Sequence, residues 1–492
     1  MKTIKSFFGI ATAFFALLQI SCTKENAAEE IIPEGYQKAV FKSIETKASL
    51  DGKTIKWDAK DYLAVYSFAS GTKGDIDGNK FTKVGAEVTS VAEFTGVVAE
   101  NADVVYVTYP YYINEKTAYE QEPVSPLKCN VPETGYHNVV TTIPGAQKLV
   151  ADSIDPACNI SACSATVAEE NGVKVLSGEM HNLVSYLKFT IDGTKNISSV
   201  LVETRNNQRI SGMSLIKFNS NGQPSLTSYE SHYVTAYAEG AIAAGTYYLC
   251  VAPVDLTNDD ATKAGFKITV SATDGKVYEY ITRGVDMRRN NIYNLGTLEQ
   301  LCVENISLRS VVFDYTSLDT ERKSERREYS FNGYNGYYFG FAYYTKNATK
   351  YLIARNNGFL TTPVIDGMKL VKVNVAINSH TSNKAPVFSL QLDTGDATFG
   401  GENAVYATGE YRPVNSKRTG DNNATLKLYR QTVHMPVYFH QFVVGARGDL
   451  ERNRTIASTL TEPYQLVNKS STTTSETTSN VDRVEFIYEK TN

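Results

Sequence analysis

The sequence predicts an all-β protein, and three observations lead to this prediction. From residue 39 onward, short segments alternate apolar and polar residues with the period of two that strands require. Clusters of Gly, Asn and Asp separate these segments, as turns do. After the N-terminal region no segment of 12 or more residues shows a clean helical period. Short strands at close spacing are typical of β-sandwiches.

Length and composition limit the class of protein. The 492 residues predict two to four domains at roughly 100–200 residues each. With 42% hydrophobic and 21% charged residues the chain is globular, which excludes a disordered chain, a collagen-like repeat and a multi-span membrane protein. Lys and Arg number 49 against 53 Asp and Glu. This balance argues against nucleic acid as a partner, because no basic excess is present to neutralise phosphates.

Residues 1–21 have the pattern of an export signal. Lys2 and Lys5 form a positive N-terminal region, and the apolar run over Phe7–Leu18 follows directly. This run is shorter than the roughly 20 residues that a membrane-spanning helix needs. We therefore exclude residues 1–21 from the folded protein. Without its two lysines the chain has a formal net charge of −6 in place of −4.

The end of this signal resembles the lipobox of bacterial lipoproteins. Ile20 and Ser21 directly precede Cys22, although Gln19 stands where the motif usually has leucine. The resemblance implies that the Cys22 thiol is acylated and anchors the chain in the outer membrane, since several acyl chains give stable attachment. Residues 22–35 would then be a polar tether. The alternative is a plain secretory signal with an incidental cysteine.

Alternating segments over residues 36–298 predict strands of β-sandwiches. The predicted strands are 39–44, 53–57, 62–68, 93–98, 104–112, 183–191, 199–204, 246–251, 266–272 and 276–280. The turn at Asp274-Gly275 predicts a hairpin between the last two. The region 113–180 is interpreted as turn-rich.

Four stretches within this region are similar to the fimbrillin-like (Mfa-like) lipoproteins of Bacteroidales, over roughly residues 33–298. They are Glu45–Val65, Leu183–Ile191, Gly245–Pro253 and Arg289–Gly296. This resemblance implies two tandem transthyretin-like β-sandwich domains, 36–180 and 181–298, and export as a lipoprotein. Many members of the family build or decorate type V pili as stalk, anchor or tip subunits.

The same resemblance implies a mode of assembly with other pilin subunits. A strand added by a neighbouring subunit would supply main-chain hydrogen bonds at an open sheet edge. In polymerising relatives a trypsin-like protease first removes an N-terminal strand, and Lys47 is the candidate processing site here. The alternative is an ordinary exposed lysine in an uncleaved anchor or tip protein.

Residues 299–492 predict a third unit, a C-terminal β domain. It resembles jelly-roll accessory domains, and we expect it to carry ligand binding. Its predicted strands are 369–377, 389–392, 425–429, 438–444 and 481–488. A Ser/Thr-rich run over 469–480 is interpreted as a loop before the final strand.

A tyrosine-rich stretch at 329–344 supplies the ligand-binding candidates of this domain. Tyr334, Asn335, Tyr337 and Tyr338 are predicted to form a platform for a glycan. Aromatic faces stack on the apolar faces of sugar rings, and an Asn amide matches hydroxyls as donor and acceptor. The alternative is a strand whose aromatic residues alternate between core and cross-strand contacts.

Cysteines beyond Cys22 give no disulfide framework. Their number is odd, which prevents complete pairing within one chain. They are Cys129, Cys158, Cys163, Cys250 and Cys302. Cys158 and Cys163 are close enough in sequence to pair in an oxidising compartment, and the alternative is isolated, apolar cysteines.

The sequence contains no catalytic fingerprint, so we predict no enzymatic activity, no cofactor and no metal. It lacks GxSxG, HExxH, a P-loop and a GxGxxG after a strand. The prediction for function is a surface-exposed fimbrillin-like lipoprotein in cell adhesion, as a pilus subunit of minor or tip type. A stand-alone glycan-binding lipoprotein that serves polysaccharide uptake is the alternative.

Overall fold

A computed structural model describes most of the chain. The described residues are 32–43, 48–50, 53–111, 128–228, 231–238, 240–320, 327–346, 349–380, 388–392, 438–443, 464–468 and 478–491. Their regular structure is nearly all strand, apart from the single-turn helix α1 (Leu298–Leu301) and two 3₁₀ turns at Pro156–Cys158 and Tyr315–Ser317. The all-β prediction is therefore confirmed. None of the helices in these ranges is long and apolar enough to cross a bilayer.

The strands are numbered in chain order. Up to residue 182 they are β1 (Tyr36–Ser43), β2 (Ala48–Leu50), β3 (Lys53–Ile55), β4 (Tyr62–Phe68), β5 (Gly74–Asp77), β6 (Asn79–Lys83), β7 (Glu93–Ala99), β8 (Val104–Tyr109), β9 (Lys128–Val131), β10 (His137–Ile143), β11 (Ser161–Glu170), β12 (Val173–Gly178) and β13 (His181–Asn182). Up to residue 297 they are β14 (Ser185–Ile191), β15 (Ile197–Thr204), β16 (Gly212–Phe218), β17 (Pro224–Ser228), β18 (Tyr233–Tyr237), β19 (Gly245–Val251), β20 (Val254–Asp255), β21 (Phe266–Ala272), β22 (Lys276–Ile281), β23 (Asp286–Met287) and β24 (Ile292–Thr297). The remainder are β25 (Val303–Val312), β26 (Arg327–Phe331), β27 (Tyr334–Lys346), β28 (Thr349–Thr361), β29 (Met368–His380), β30 (Phe388–Leu392), β31 (Tyr438–Val443), β32 (Tyr464–Asn468) and β33 (Thr478–Lys490).

The first sheet closes on itself. Its order is β12-β1-β7-β6-β4-β8-β11-β13, and β11 also pairs with β12. The long strand β11 makes this closure, because Ser161–Ala165 pairs with β8 whereas Thr166–Glu170 pairs with β12. Within this closed sheet β1 has a partner on each side, antiparallel β7 and parallel β12. We call this closed sheet the ring.

Alternation along β4 divides the N-terminal core in two. Leu63 and Val65 lie in the cluster inside the ring, whereas Ala64 and Tyr66 lie in a second cluster outside it. Both faces of this strand are therefore covered, and all four side chains are 0% exposed. The core inside the ring also contains Phe41, Trp57, Phe81, Phe94 and Leu176.

The second sheet has the order β17-β16-β10-β9-β5 and covers the outside of the ring. Seven residue pairs join β10 (His137–Ile143) to β16 (Gly212–Phe218). The boundary predicted at 180/181 is thus crossed by strand pairing. The region 113–180, interpreted as turn-rich, in fact contributes β9 to β12.

The second sandwich packs a third sheet, β19-β14-β24, against the first strands of a fourth sheet, β18-β15-β21-β22. Its core contains Phe189, Val202, Phe266 and Ile268, all 0% exposed. The predicted hairpin of β21 and β22 is present, with five register pairs. The opposite face of β14 and β19 joins the cluster outside the ring, through Tyr186 and Cys250 among others.

The C-terminal region continues the fourth sheet. β25 pairs with β22 on one side and with β33 on the other, and the order runs on through β28, β27 and β26. β33 lies at the centre, because β25, β28 and β29 all pair with it. One face of these strands forms a separate core that contains Phe341, Val373 and Phe486. The region is therefore β, as predicted, and the predicted strand at 425–429 lies outside the described residues.

The other face of β29 and β33 packs on β15 and β18 through polar groups. Lys372 lies 3.2 Å from Glu203, and Arg483 donates to the carbonyl oxygen of Ala238 at 3.1 Å. The Tyr237 hydroxyl donates to Asp482 at 3.3 Å. We call this contact the polar seam. It fixes the C-terminal region against the second sandwich.

Candidate functional site

Strand β1 completes the ring, and its inward-facing side chains are buried. Phe41 is 0% exposed and Ala39 is 1% exposed. The register places Phe41 beside Phe94 of β7 and beside Leu176 of β12, so that its ring packs between the two neighbouring strands. Removal of β1 would leave two unpaired strand edges and would open the core inside the ring. An exposed strand edge is what an added strand pairs with.

Lys47 and Cys22 lie outside the described residues, so their predicted roles stay predictions. Connectivity still shows what a cut after Lys47 would do. β1 ends at Ser43, and β2 begins at Ala48. Such a cut would therefore separate β1 from the rest of the ring. Lys42 lies inside β1, where it pairs with Glu93 of β7 and Ser177 of β12. A protease cannot bind the backbone at Lys42 in an extended form, because that backbone is already paired on both sides.

The tyrosine-rich stretch forms a tight hairpin from β26 and β27. Phe331 pairs with Tyr334 across a two-residue turn, Asn332-Gly333. Both turn residues have left-handed backbone angles, φ 48° and 82°. Asn-Gly is the pair that such turns prefer, because both positions require positive φ. This dipeptide sets the register of the whole hairpin.

The four predicted ligand-binding residues are divided between two faces of this hairpin. Asn335 and Tyr337 point outward, and Tyr337 is 37% exposed. Tyr334 packs against the C-terminal core with its ring 5.5 Å from Phe331. Tyr338 is 2% exposed in the same core. The four side chains therefore do not form one platform.

Tyr338 has a structural role in this core. Its hydroxyl donates to the Asp319 carboxylate at 2.9 Å. Burial raises the pKa of this phenol, so it stays protonated as the donor. A ring held in this way has no face available to a ligand at the surface.

The hairpin register adds two residues that the sequence reading missed. Ser330 pairs with Asn335, and Glu328 pairs with Tyr337. Both are exposed on the outward face. We call these four residues, Glu328, Ser330, Asn335 and Tyr337, the tyrosine face. The Asn332-Gly333 turn was the sequence feature from which this register could have been read.

Gly336 allows the strand that carries Asn335 and Tyr337 to pack closely on Tyr329 of β26 and Thr361 of β28. The Tyr329 hydroxyl passes beneath it and donates to the carbonyl oxygen of Thr361 at 2.6 Å. The Tyr337 N–H donates to the Thr361 hydroxyl oxygen at 2.7 Å. A Cβ on Gly336 would lie only 2.6 Å from that hydroxyl oxygen. The absence of a side chain here thus allows the close approach of β26, β27 and β28.

A cleft of about 540 Å³ lies elsewhere, between β17, β20 and β23. Leu226 and Met287 supply apolar wall. Arg288 pairs with Asp286 at 2.7 Å on the rim, and Arg289 reaches the carbonyl oxygen of Pro224 at 3.5 Å. The volume of the cleft lies within the range of clefts that bind small molecules. Within the described ranges no three His, Cys, Asp or Glu side chains are grouped as metal ligands.

Comparison with known proteins gives structural neighbours alone. No protein family profile matches the chain, and no curated protein matches it. The structure is similar to two Bacteroides proteins provisionally named cell adhesion proteins. The one from Bacteroides uniformis has 13% identity and a TM-score of 0.32 over 56% of this chain and 97% of its own. The one from Bacteroides ovatus has 13% identity and a TM-score of 0.33 over 55% and 95%.

A third neighbour is the tip fimbrial protein Mfa3 of Porphyromonas gingivalis with a C-terminal truncation. It has 11% identity and a TM-score of 0.28 over 55% of this chain and 98% of its own. These three structural neighbours are thus named as cell adhesion and fimbrial proteins.

Proposed function

We propose that this chain is a fimbrillin-like surface lipoprotein that acts in cell adhesion as a minor or tip subunit of a pilus. The observation that carries the proposal is the position of β1, which lies between β7 and β12 and covers the core inside the ring. Adhesion is also the role named for the structural neighbours. Its mechanism is non-covalent, through strand addition and surface contacts.

Assembly follows from replacing β1 with the strand of another subunit. A cut after Lys47 releases β1, and the freed edges of β7 and β12 accept a new strand with full main-chain pairing. An apolar side chain of that strand takes the place of Phe41, which otherwise leaves a hole between Phe94 and Leu176. The proposal for Cys22 is an acyl anchor that holds the subunit at the outer membrane.

Mass spectrometry of protein released from the cell surface tests the processing step. We expect a fragment that begins at Ala48, and we expect Lys47→Ala to abolish it. Lys42→Ala is the matched control and should leave the fragment unchanged, because Lys42 is held in the strand ladder. A mature chain that still begins at Cys22 would contradict processing.

Electron microscopy of cells that lack this chain tests the proposed role in a pilus. Loss of surface fibres would support that role.

A stand-alone glycan-binding lipoprotein is the second candidate, and the tyrosine face favours it. Tyr337 offers a partly exposed aromatic ring beside an amide, a hydroxyl and a carboxylate. These groups suit a sugar, which presents apolar C–H faces and hydroxyls. Under this proposal the chain serves polysaccharide uptake.

A glycan array separates the two binding surfaces. If the tyrosine face binds, Tyr337→Ala loses the signal and Arg289→Ala in the cleft keeps it. The reverse result assigns the ligand to the cleft. Retention by both variants contradicts the glycan proposal for these surfaces. Loss of growth on one polysaccharide after deletion, with fibres intact, would favour uptake over the pilus.

A further inference from the structure

Two cysteines that are far apart in sequence meet in the core outside the ring. Cys158 ends the 3₁₀ turn Pro156–Cys158, and Cys250 lies in β19. Both side chains are 0% exposed and belong to the same apolar cluster. The Cys250 thiol neighbours the Cys158 thiol and, after burial, contributes to raising the pKa of that thiol. Both are free thiols in the structure.

Several independent contacts hold the two backbones in place. The Gln147 side chain accepts from the Cys250 N–H at 2.8 Å and donates to the Cys250 carbonyl oxygen at 2.7 Å. Cys250 pairs with Tyr186 across β14 and β19. The Tyr186 hydroxyl in turn donates to the side-chain oxygen of Asn159, the neighbour of Cys158, at 3.2 Å. These contacts therefore hold the segment that carries Cys158 against the strand that carries Cys250.

Cys163 is not part of this pair. Strand β11 carries it into the ring, where it pairs with Val107 and packs in the other core. The sequence spacing left a Cys158–Cys163 bond open, but the structure separates these two side chains between different cores. Cys302 lies in the core of the second sandwich.

We propose that Cys158 and Cys250 form a disulfide bond as the chain folds outside the cytoplasm. The location rests on the export signal predicted for residues 1–21. The oxidant is the disulfide of a thiol–disulfide oxidoreductase. The Cys158 thiolate attacks that disulfide, forms a mixed disulfide and releases one carrier thiol. The Cys250 thiolate then attacks the Cys158 sulfur, and the second carrier thiol leaves. The two cysteine protons pass to the carrier, which is reduced by two electrons.

This exchange precedes closure of the core. Burial raises the pKa of the Cys158 thiol well above its ordinary value, so the reactive thiolate is suppressed once the cluster has packed. The bond joins residues on opposite sides of position 180. It would therefore link the ring covalently to the third sheet, in addition to the β10–β16 pairing.

Peptide mapping of the chain from the outer-membrane fraction tests the proposal. The protein is alkylated in denaturant without reductant and digested with trypsin. We expect peptide 149–174 to be linked to peptide 218–263. Because 149–174 carries both Cys158 and Cys163, the Cys163→Ala variant removes the ambiguity and should keep the link. Cys302→Ala is the matched buried control and should keep it too.

Other outcomes overturn the bond. These are alkylation of both Cys158 and Cys250, or a bond confined to peptide 149–174. A second measurement does not depend on the map. Dithiothreitol should lower the Tm of the wild type and of Cys163→Ala, and should leave the Tm of the Cys158→Ser/Cys250→Ser double variant unchanged. An equal Tm of the wild type with and without reductant also contradicts the proposal.

Discussion

The carboxylate of Glu485 accepts a hydrogen bond of 2.6 Å from the hydroxyl of Ser310 inside the polar seam. Asn374 donates to the other carboxylate oxygen at 3.2 Å, and Arg483 lies 3.6 Å away. Glu485 is 4% exposed and Arg483 is 7% exposed. Burial alone would raise the pKa of Glu485, but the Arg483 charge and the hydrogen bonds outweigh it and lower that pKa. The seam thus holds a buried ion pair of Glu485 and Arg483, in which the carboxylate also accepts hydrogen bonds from Ser310 and Asn374.

Glu485→Gln is expected to reduce the free energy of unfolding by about 3 kcal/mol, because it leaves the buried Arg483 charge without a counter-charge. Urea unfolding followed by circular dichroism measures this. Glu489→Gln on the same strand is the matched control. Its partner Lys369 lies 2.8 Å away, but both side chains are 39% exposed. Such a pair contributes less than about 1 kcal/mol. An equal loss of unfolding free energy in the two variants would show that the buried pair contributes no more than the exposed pair.

Acid should weaken the wild type more than Glu485→Gln. A carboxyl whose pKa is lowered by folding adds stability above its ordinary value of 4.5, and this is lost as the pH falls through the folded pKa. The Tm difference between the two proteins should therefore be large at pH 7 and should shrink below about pH 4.5. The other carboxyls titrate in both proteins and cancel. A difference that stays constant down to pH 3 would contradict the assignment.

Gly336→Ala should destabilise the C-terminal region by about 1–3 kcal/mol, as overpacking of a core does. The added Cβ would lie 2.6 Å from the Thr361 hydroxyl oxygen and would press on the Tyr329 hydroxyl group. Gly240→Ala is the control, since no atom lies within 4 Å of its added Cβ. Calorimetry should show a lower Tm for the first variant alone. An unchanged Tm for Gly336→Ala would mean that the three strands can separate without cost.

Trp57 should report on β1 by fluorescence. Its ring is 0% exposed and makes edge contacts with Phe94 at 5.1 Å and Tyr109 at 5.4 Å. Because Trp57 and Phe41 share the core inside the ring, loss of β1 should shift the emission to longer wavelength. The measurement compares spectra before and after protease treatment, with Lys47→Ala as the control. A chain that is cut after Lys47 but keeps its native emission would show that β1 stays in place.

Local pattern predicted individual strands well. The predicted bounds 62–68 and 266–272 coincide with β4 and β21. In β21 the alternation of Phe266, Ile268 and Val270 with polar residues marks a strand with one covered face. β10 was missed because its sequence HNVVTTI has only a two-residue apolar run before two threonines, so no alternation is visible, although Thr141 and Thr142 are both buried.

Long-range pairing could not be predicted in the same way. The contact of β10 with β16 joins segments on opposite sides of the domain boundary predicted at 180/181. At the candidate site, the sequence located the right stretch but not its faces. Alternation alone left open whether Tyr334 and Tyr338 point inward, and the register set by Asn332-Gly333 decides it.

The central place of β33 has a consequence for the order in which the chain matures. A chain delivered across a membrane from its N-terminus can close the ring early, since all strands of the ring lie before residue 183. The C-terminal core cannot form before residues 478–490 are delivered, because these residues form β33. That strand pairs with β25, β28 and β29 and contributes to the polar seam. Until then Leu352, Val373 and Val375 lack their cover. This interval is when the chain most needs protection from aggregation.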